Sequence, residues 1–331
     1  MPGQLGEPLV ELGPLTRVAL PGGIALDCLD LGPREAPALV FLHGFPESHR
    51  TWRHQLLHLK DRYRCIAPDQ RGYRGSSRPP EVAAYRPEVL VGDVFALASA
   101  LEVERFTVIG HDWGGAIAWL VAIMGQAMAR VERLVIANAP HPAIFQRLLY
   151  TDPVQRAASQ YMRAFRDPAN DALVREHGLA ALLAQALGGA SAGGSGAGFA
   201  GLEPAERDDL LAGWADPATA LTMLNWYRAS PVDVPPPEAP FALPEGWAPP
   251  PLPKLTIPTL VAWGLDDTAL PPGNLAGLAD HVADLTLVEI PGTGHFVPWQ
   301  APGALNAAID KFLARTDAEP GASRSSESEK R

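Results

Sequence analysis

The hexapeptide Gly110-His111-Asp112-Trp113-Gly114-Gly115 constrains the fold of this chain more than any other stretch. A short β-like run, residues 105–109, precedes it, and an apolar helix-like run, residues 116–124, follows it. A glycine-bounded turn between a strand and a helix is tight and exposes the side chain at its centre. Glycine is needed on both sides because the strand and the helix approach closely there. The pattern is typical of a nucleophile elbow, with Asp112 in the place of the usual Ser or Cys.

Strand-like and helix-like segments alternate along most of the chain, which indicates βαβ units and a parallel sheet. The texture changes at about residue 143, where helix-like segments begin, and a proline-rich stretch follows from 231 to 253. We therefore predict an α/β fold with a mostly parallel central sheet flanked by helices. Residues 15–142 and 254–315 would form this core, and residues 143–253 an inserted α-helical cap domain.

Two segments have compositions that predict no stable structure. Residues 187–201 are rich in Gly, Ala and Ser and poor in large apolar side chains, which favours a flexible loop. Residues 316–331 are rich in Ser and charged residues, and we predict a disordered tail there.

Composition and charge exclude several classes of partner. The chain has 331 residues and a formal net charge of −10, and its Lys and Arg residues are dispersed, which argues against binding of nucleic acid. No apolar run approaches the roughly 18 residues of a membrane span, and the first residues do not resemble a signal peptide. The two cysteines, Cys28 and Cys65, favour a reducing compartment. We expect a cytoplasmic protein without membrane contact; the sequence leaves open whether it is a homodimer.

Three candidate catalytic residues follow predicted strands in chain order: Asp112, Asp267 and His295. Parallel sheets place their ligand sites at the carboxyl ends of the strands, and nucleophile, acid, histidine is the chain order of the α/β-hydrolase triad. His295 would be the general base, and Asp267 would orient it. Asp266 competes for the acid position, but the resemblance of the triad order to that of the α/β-hydrolases favours Asp267, because that family presents its acid in the spacing Gly-x-x-Asp after the strand.

The motif His43-Gly44-Phe45-Pro46, directly after another buried strand, suggests an oxyanion hole. Its glycine frees the backbone to turn an N–H toward the nucleophile. We predict that the backbone N–H groups of Phe45 and Trp113 form the hole. The sequence does not decide whether the Phe45-Pro46 bond is cis.

A carboxylate nucleophile restricts the chemistry. Attack of Asp112 on a carbonyl would give an unstable anhydride, whereas attack on an sp³ carbon with a leaving group gives an ordinary ester. His295 would then activate water to hydrolyse that ester. Asp112 therefore indicates epoxides or alkyl halides as substrates, rather than esters or peptides.

The motifs HGFPES, GHDWGG and GTGHFVP together resemble the epoxide hydrolases of the α/β-hydrolase fold, which are related to the haloalkane dehalogenases. The cap adds the patterns Tyr161-x-x-x-Phe165 and Asn225-Trp226-Tyr227-Arg228, which are similar to two tyrosine motifs of that family. The resemblance implies that Tyr161 and Tyr227 bind and protonate the epoxide oxygen. The chain departs from the family pattern after Phe165, where it has Arg166-Asp167 instead of the common Gln-Glu, and this puts the substrate range in doubt.

The leaving group separates the two chemistries. A departing halide needs N–H donors, and Phe45 stands where dehalogenases often have an Asn. An opening epoxide needs an acid, which the tyrosines supply. We therefore expect a small-molecule epoxide to be hydrolysed to a vicinal diol without cofactor or metal. The alternatives are a haloalkane or haloacid dehalogenase and a non-catalytic ligand-binding protein on the same fold. The candidate substrate-binding side chains are those of Phe45, Trp113, Trp226, Leu270 and Phe296.

Overall fold

The computed structural model describes residues 9–187, 199, 201–249 and 251–317. The strands are β1 Thr16–Ala19, β2 Ala25–Leu31, β3 Ala38–Leu42, β4 Arg64–Pro68, β5 Phe106–His111, β6 Val131–Ala137, β7 Thr259–Gly264 and β8 Leu285–Ile290. Within the described residues they form one eight-stranded sheet in the order β1-β2-β4-β3-β5-β6-β7-β8. β2 pairs antiparallel with β1 and β4, and every other neighbouring pair is parallel.

The helices are α1 Arg53–Leu59, α2 Pro87–Ala100, α3 Asp112–Ala127, α4 Pro142–Thr151, α5 Pro153–Ala158, α6 Tyr161–Arg166, α7 Asp171–Leu187, α8 Pro204–Ala212, α9 Pro217–Ala229, α10 Leu278–His281, α11 Val297–Gln300 and α12 Pro302–Asp317. Proline opens α2, α4, α5, α8, α9 and α12. Proline suits the first turn of a helix because its missing N–H would have no partner there and its φ is already helical.

The central strands β3, β5 and β7 are buried at every residue. Both faces of a parallel sheet are covered by helices, so these strands read as continuous apolar runs rather than alternating ones. On one face the apolar core packs against α2, α3 and the helices between β6 and β7. On the other face it packs against α1 and α12. The carboxyl ends of β3, β5, β6 and β7 therefore meet at one edge of a rigid sheet.

Helices α4 to α9 are inserted between β6 and β7 and cover that edge as a cap. The indole N–H of Trp226 donates to Arg71 O at 2.9 Å, and the hydroxyl of Thr222 donates to Gly72 O at 3.0 Å. These bonds tie α9 to the loop after β4. The prediction of an α/β-hydrolase fold with an inserted helical cap is confirmed.

The two segments that were expected to lack structure lie largely outside the described residues. Leu187 ends α7, and residues 188–198 and 200 are not described. Phe199 is buried, with ring contacts at 6.2 Å to Trp214 and 5.8 Å to Phe296. At the other end, α12 extends through residues 316 and 317, so the predicted tail would begin after the helix; residues 318–331 are not described.

Candidate active site

The turn that presents Asp112 is as tight as its glycines indicate. β5 runs to His111, two residues beyond the strand-like run of the sequence, and Asp112 begins α3 with a φ of 49°. A Cβ on Gly114 would lie 2.2 Å from Leu42 O, and a Cβ on Gly110 would lie 2.5 Å from Gly114 O. Only glycine fits at these positions, because the neighbouring atoms belong to the backbone. This strained backbone conformation directs the carboxylate of Asp112 toward the cap.

The structure brings Asp112, His295 and Asp267 together. His295 Nε2 lies 3.4 Å from Asp112 Oδ2, and His295 Nδ1 lies 2.7 Å from Asp267 Oδ2. Asp267 is buried, whereas its neighbour Asp266 is exposed. The histidine thus stands between two carboxylates, in an arrangement that can take a proton on Nε2 while Nδ1–H is held by Asp267.

Asp267 is held by hydrogen bonds that occupy both of its oxygens. Oδ1 accepts the backbone N–H groups of Ala269 at 2.9 Å and Leu270 at 2.8 Å. Oδ2 accepts the side-chain N–H of Asn138 at 2.7 Å, and Asn138 Oδ1 in turn accepts Gly264 N–H at 2.8 Å. Asn138 was not identified from the sequence. Its position at the end of β6, beside β7, is the signal that could have found it.

The negative charges of Asp112 and Asp267 stabilise the protonated form of His295, and His295 in turn stabilises the ionised form of Asp112. Burial alone would lower the pKa of His295, but the charges of Asp267 and Asp112 and their hydrogen bonds raise it well above the usual value. Burial alone would raise the pKa of Asp112, but His295 and the Phe45 N–H bring it below the usual value. Both pKa shifts favour an ionised Asp112 next to a protonated His295.

The loop after β3 supplies one donor of the predicted oxyanion hole. Phe45 N–H donates to Asp112 Oδ1 at 2.7 Å, and the Phe45-Pro46 bond is cis. A Cβ on Gly44 would lie 2.4 Å from Asp112 Cβ, so only glycine allows this loop to approach the nucleophile. The backbone N–H of Trp113 as the second donor stays a prediction.

Both cap tyrosines face Asp112 across one cavity. The cavity has a volume of about 130 Å³, and Asp112, Tyr161 and Tyr227 line it together. The tyrosine rings lie 6.2 Å apart. Burial and the nearby negative charge of Asp112 raise the pKa of Tyr161, and burial, Tyr161 and Asp112 raise that of Tyr227. Both hydroxyls therefore keep their protons near neutral pH and can donate them.

The rest of the cavity wall is almost entirely apolar. Its other lining residues are Pro87, Trp113, Ala116, Ile117, Leu120, Pro140, Pro142, Phe145, Met162, Ser230, Pro231, Val232 and Leu270. Such a wall fits a small apolar ligand whose reacting end meets the carboxylate and the two hydroxyls.

Of the five predicted substrate-binding side chains, Trp113 and Leu270 line this cavity, whereas the described lining does not include Phe45, Trp226 or Phe296. Phe45 packs against Tyr227, with ring centroids 5.0 Å apart. Trp226 is a buried residue of α9, and its indole N–H donates to the loop after β4. Phe296 stacks on Trp299 at 4.4 Å. These three aromatics pack against other residues, and their contact with substrate stays a prediction.

A second histidine lies directly behind His295 and was not identified from the sequence. His111 Nε2 lies 2.9 Å from His295 O, so it donates to that carbonyl. His111 Nδ1 lies 3.0 Å from Glu47 Oε2, which also accepts Gly44 N–H at 2.6 Å. Glu47 and His111 are both buried, and they tie the loops of the oxyanion hole and of His295 together. The positions of both residues within two motifs, HGFPES and GHDWGG, are the signal that could have singled them out.

The site combines a carboxylate elbow, a histidine between two acids and a helical cap over the strand ends. This combination defines a class of protein, and the comparison with known families agrees. A family model described as alpha/beta hydrolase fold matches residues 37–302. The chain belongs to the α/β-hydrolase family.

Two relatives are similar to most of the chain, and the name of one of them gives an enzyme class. The AB hydrolase superfamily protein YfhM of Bacillus subtilis is 31% identical over 88% of this chain and 95% of its own length. Epoxide hydrolase 2 of Caenorhabditis elegans is 30% identical over 88% of this chain and 77% of its own length.

Solved structures give the same result. A structure described as one of several novel epoxide hydrolases from metagenomes of hot environments is 61% identical, with a TM-score of 0.86 over 92% of this chain and 99% of that one. The epoxide hydrolase of Bacillus megaterium in complex with an inhibitor is 25% identical, with a TM-score of 0.76 over 90% of this chain and 100% of that one. The predicted resemblance to epoxide hydrolases of this fold is confirmed.

Proposed function

We propose that this chain is an epoxide hydrolase, which adds water to an epoxide and releases a vicinal diol through an ester on Asp112. The observation that carries the proposal is the pair of tyrosines that shares one cavity with Asp112. An opening epoxide needs a proton on its leaving oxygen, and a buried phenol can supply it. The relatives that are named epoxide hydrolases support the same reaction.

In the first step the ester forms. The Phe45 N–H holds Asp112 Oδ1, which leaves Oδ2 as the oxygen that attacks a ring carbon. As the new C–O bond forms, the bond between that carbon and the epoxide oxygen breaks, and Tyr161 or Tyr227 protonates the departing oxygen. The negative charge that Asp112 loses then resides on the tyrosinate.

In the second step water cleaves the ester. Once Asp112 is an ester, one of the two charges that raise the pKa of His295 is gone. His295 is then a stronger acid and gives its proton to the tyrosinate, which leaves both groups neutral. Neutral His295 takes a proton from water, whose oxygen attacks the Asp112 carbonyl carbon, and Phe45 N–H stabilises the negative charge on Oδ1. The bond from that carbon to Oδ2 breaks, His295 protonates the departing alcohol, and the acid proton of Asp112 returns to His295.

A small substrate panel tests the reaction. We expect diol from styrene oxide and cyclohexene oxide, and no halide from a series of primary alkyl bromides and chlorides. The expectation rests on the tyrosine acids, which help a basic alkoxide to leave and are of no use to a halide. Halide release without diol would establish the dehalogenase alternative. Tight binding of these compounds with no turnover of either class would favour the non-catalytic alternative.

Asp267→Asn should lower kcat by about 10²–10⁴-fold. The amide oxygen of the new side chain would keep the N–H bonds from Ala269 and Leu270, so its NH₂ would point at His295 Nδ1. That donor forces the imidazole proton onto Nε2, the atom that has to accept the proton of water. The measurement is kcat for an epoxide from pH 5 to 10.

The pH profile gives a second readout of the same variant. Ester hydrolysis needs neutral His295, so it should fall as pH drops through the pKa that His295 has in the ester, which the charge of Asp267 still raises. Loss of the Asp267 charge lowers the pKa, and the acid limb of the variant should move to lower pH. Asp266→Asn is the matched control, because Asp266 is exposed and should leave both rate and profile unchanged. An unchanged acid limb in Asp267→Asn would contradict the assigned role.

The setting of the reaction is also part of the proposal. Within the described residues no helix combines the length and apolar character that a membrane crossing needs. The cytoplasmic location stays a prediction that fractionation can test, and light scattering can determine the oligomeric state, which the sequence leaves open. The net charge of −10 supports a small-molecule substrate rather than nucleic acid.

A further inference from the structure

Arg166, the residue at which this chain departs from the family pattern, ends the helix that carries Tyr161. Its Nε–H donates to the backbone carbonyl of Tyr227 at 2.9 Å, and its Nη1–H donates to Val232 O at 2.7 Å. One guanidinium therefore joins α6 to the end of α9 and to the segment that follows it. Because Val232 and both tyrosines line the cavity, this bridge stands directly behind the acid end of the site.

The Arg166 side chain also carries a hydrogen-bond donor group from which no described residue accepts. Its Nη2 is buried and has no hydrogen-bond partner among the described residues. Burial lowers the pKa of Arg166, while Asp233 and the two tyrosines raise it and Arg163 lowers it. A guanidinium nevertheless stays protonated in a protein, so a positive charge persists beside the tyrosines.

The charge balance of ring opening shows what this cation can do. Before the step, the negative charge is on Asp112, at the end of the core sheet. After the step, Asp112 is a neutral ester and the charge is on a tyrosine oxygen in the cap. A positive charge fixed on the cap side favours the second arrangement over the first, and a preorganised charge costs no reorganisation as the reaction proceeds.

We propose that Arg166 is a positioning residue for ring opening: it holds the helices of Tyr161 and Tyr227 together and stabilises the tyrosinate that forms when the epoxide oxygen takes a proton. This inference rests on the proposed epoxide hydrolase activity. It assigns Arg166 no contact with the substrate and no part in ester hydrolysis.

The test compares Arg166→Gln, Arg166→Lys and Arg163→Gln with the wild type in single turnovers, with ring opening and ester hydrolysis timed separately by rapid quench. Gln removes the charge, and Lys keeps it. Arg163 is the matched control, because it lies on the same helix and donates to Val234 O at 2.9 Å, but it is exposed. We expect Arg166→Gln to slow opening of 1,2-epoxypropane about tenfold and to leave ester hydrolysis unchanged. Arg166→Lys should recover most of the loss, and Arg163→Gln should match the wild type.

A second epoxide separates stabilisation of the tyrosinate from a general loss of shape. The alkoxide from 1,1,1-trifluoro-2,3-epoxypropane is less basic and needs less help from an acid, so Arg166→Gln should slow its opening much less. Equal losses for both epoxides, no recovery with Lys, or no loss in Arg166→Gln would overturn the role of Arg166 while leaving the proposed function intact. A wild type that opens neither epoxide would overturn both.

Discussion

Replacing His295 by Gln should stop the reaction at the ester on Asp112. Ring opening needs only the carboxylate and a tyrosine acid, whereas water needs the base, so the variant should consume one epoxide per active site and then stall. We expect steady turnover to fall by about 10²–10⁴-fold. Intact-mass spectrometry should show a gain equal to the mass of one epoxide, and peptide mapping should place it on Asp112.

Two controls make this result specific. The double variant Asp112→Ala/His295→Gln should gain no mass, because the nucleophile is absent. His177→Gln should behave as the wild type, because His177 is an exposed residue of α7. In the wild type, a single turnover in ¹⁸O-water should place the label in Asp112, since water attacks the carbonyl carbon and not the alkyl carbon. A stalled enzyme without added mass, or label only in the diol, would contradict the covalent mechanism.

The pH dependence of the trapped step follows from the same charges. Burial raises the pKa of Asp112, and His295 is the main group that opposes this. Without His295 the carboxylate should therefore hold its proton to higher pH, and ester formation in His295→Gln should have an acid limb at higher pH than in the wild type. Trapping should accordingly be measured over a series of rising pH, because the ionised carboxylate is the nucleophile.

The sequence is informative where one local pattern determines the outcome. β3, β5 and β7 are continuous apolar runs because both faces of the sheet are covered, and this texture is visible without coordinates. Asp112, Asp267 and His295 follow the parallel strands β5, β7 and β8, and they lie at one edge because parallel strands end together. Local order along the chain thus predicts which residues converge.

Side-chain direction is where sequence reasoning fails. Trp226 and Tyr227 are adjacent on α9, and because adjacent residues on a helix point about 100° apart, their side chains meet different surroundings. Tyr227 faces Asp112 and Trp226 faces the loop after β4. Phe296 follows His295 directly, and its ring stacks away from the cavity on Trp299. Trp113, which follows Asp112, does line the cavity, so adjacency to a catalytic residue does not decide which way an aromatic side chain points.

Hydrogen-bond partners that are distant in sequence also cannot be predicted from local sequence patterns. Glu47 and His111 are 64 residues apart, and only folding of β3 against β5 places them within 3.0 Å. Helix α7 was not predicted either, because Gly178 interrupts it with a φ of 77° and weakens its helical pattern. Arg166 was visible as a departure from the family pattern, but its contacts with Tyr227 O and Val232 O depend on the packing of the cap.

The double variant Tyr161→Phe/Tyr227→Phe should abolish epoxide opening, with a loss of about 10²–10⁴-fold in the rate of ester formation. Each single variant should keep part of the rate, because the other hydroxyl still faces Asp112 across the cavity. Phe keeps the ring contacts of both residues with Phe165, at 5.3 Å and 5.0 Å, so the cap should stay in place. The measurement is the single-turnover rate of epoxide loss, with hydrolysis of the ester timed separately.

The control and the choice of substrate decide between an acid role and a packing role. Tyr150→Phe removes another cap hydroxyl, one that lies 3.0 Å from Asp233 Oδ2, and should leave the rate unchanged. If the tyrosines act as acids, the double variant should lose much less with 1,1,1-trifluoro-2,3-epoxypropane than with 1,2-epoxypropane, since the fluorinated alkoxide leaves more readily without a proton. A packing role would slow both substrates equally, and a fully active double variant would contradict the assignment of the acids. The nucleophile permits both epoxides and alkyl halides, so it is the proton on the leaving oxygen, supplied from the cap, that selects the epoxide.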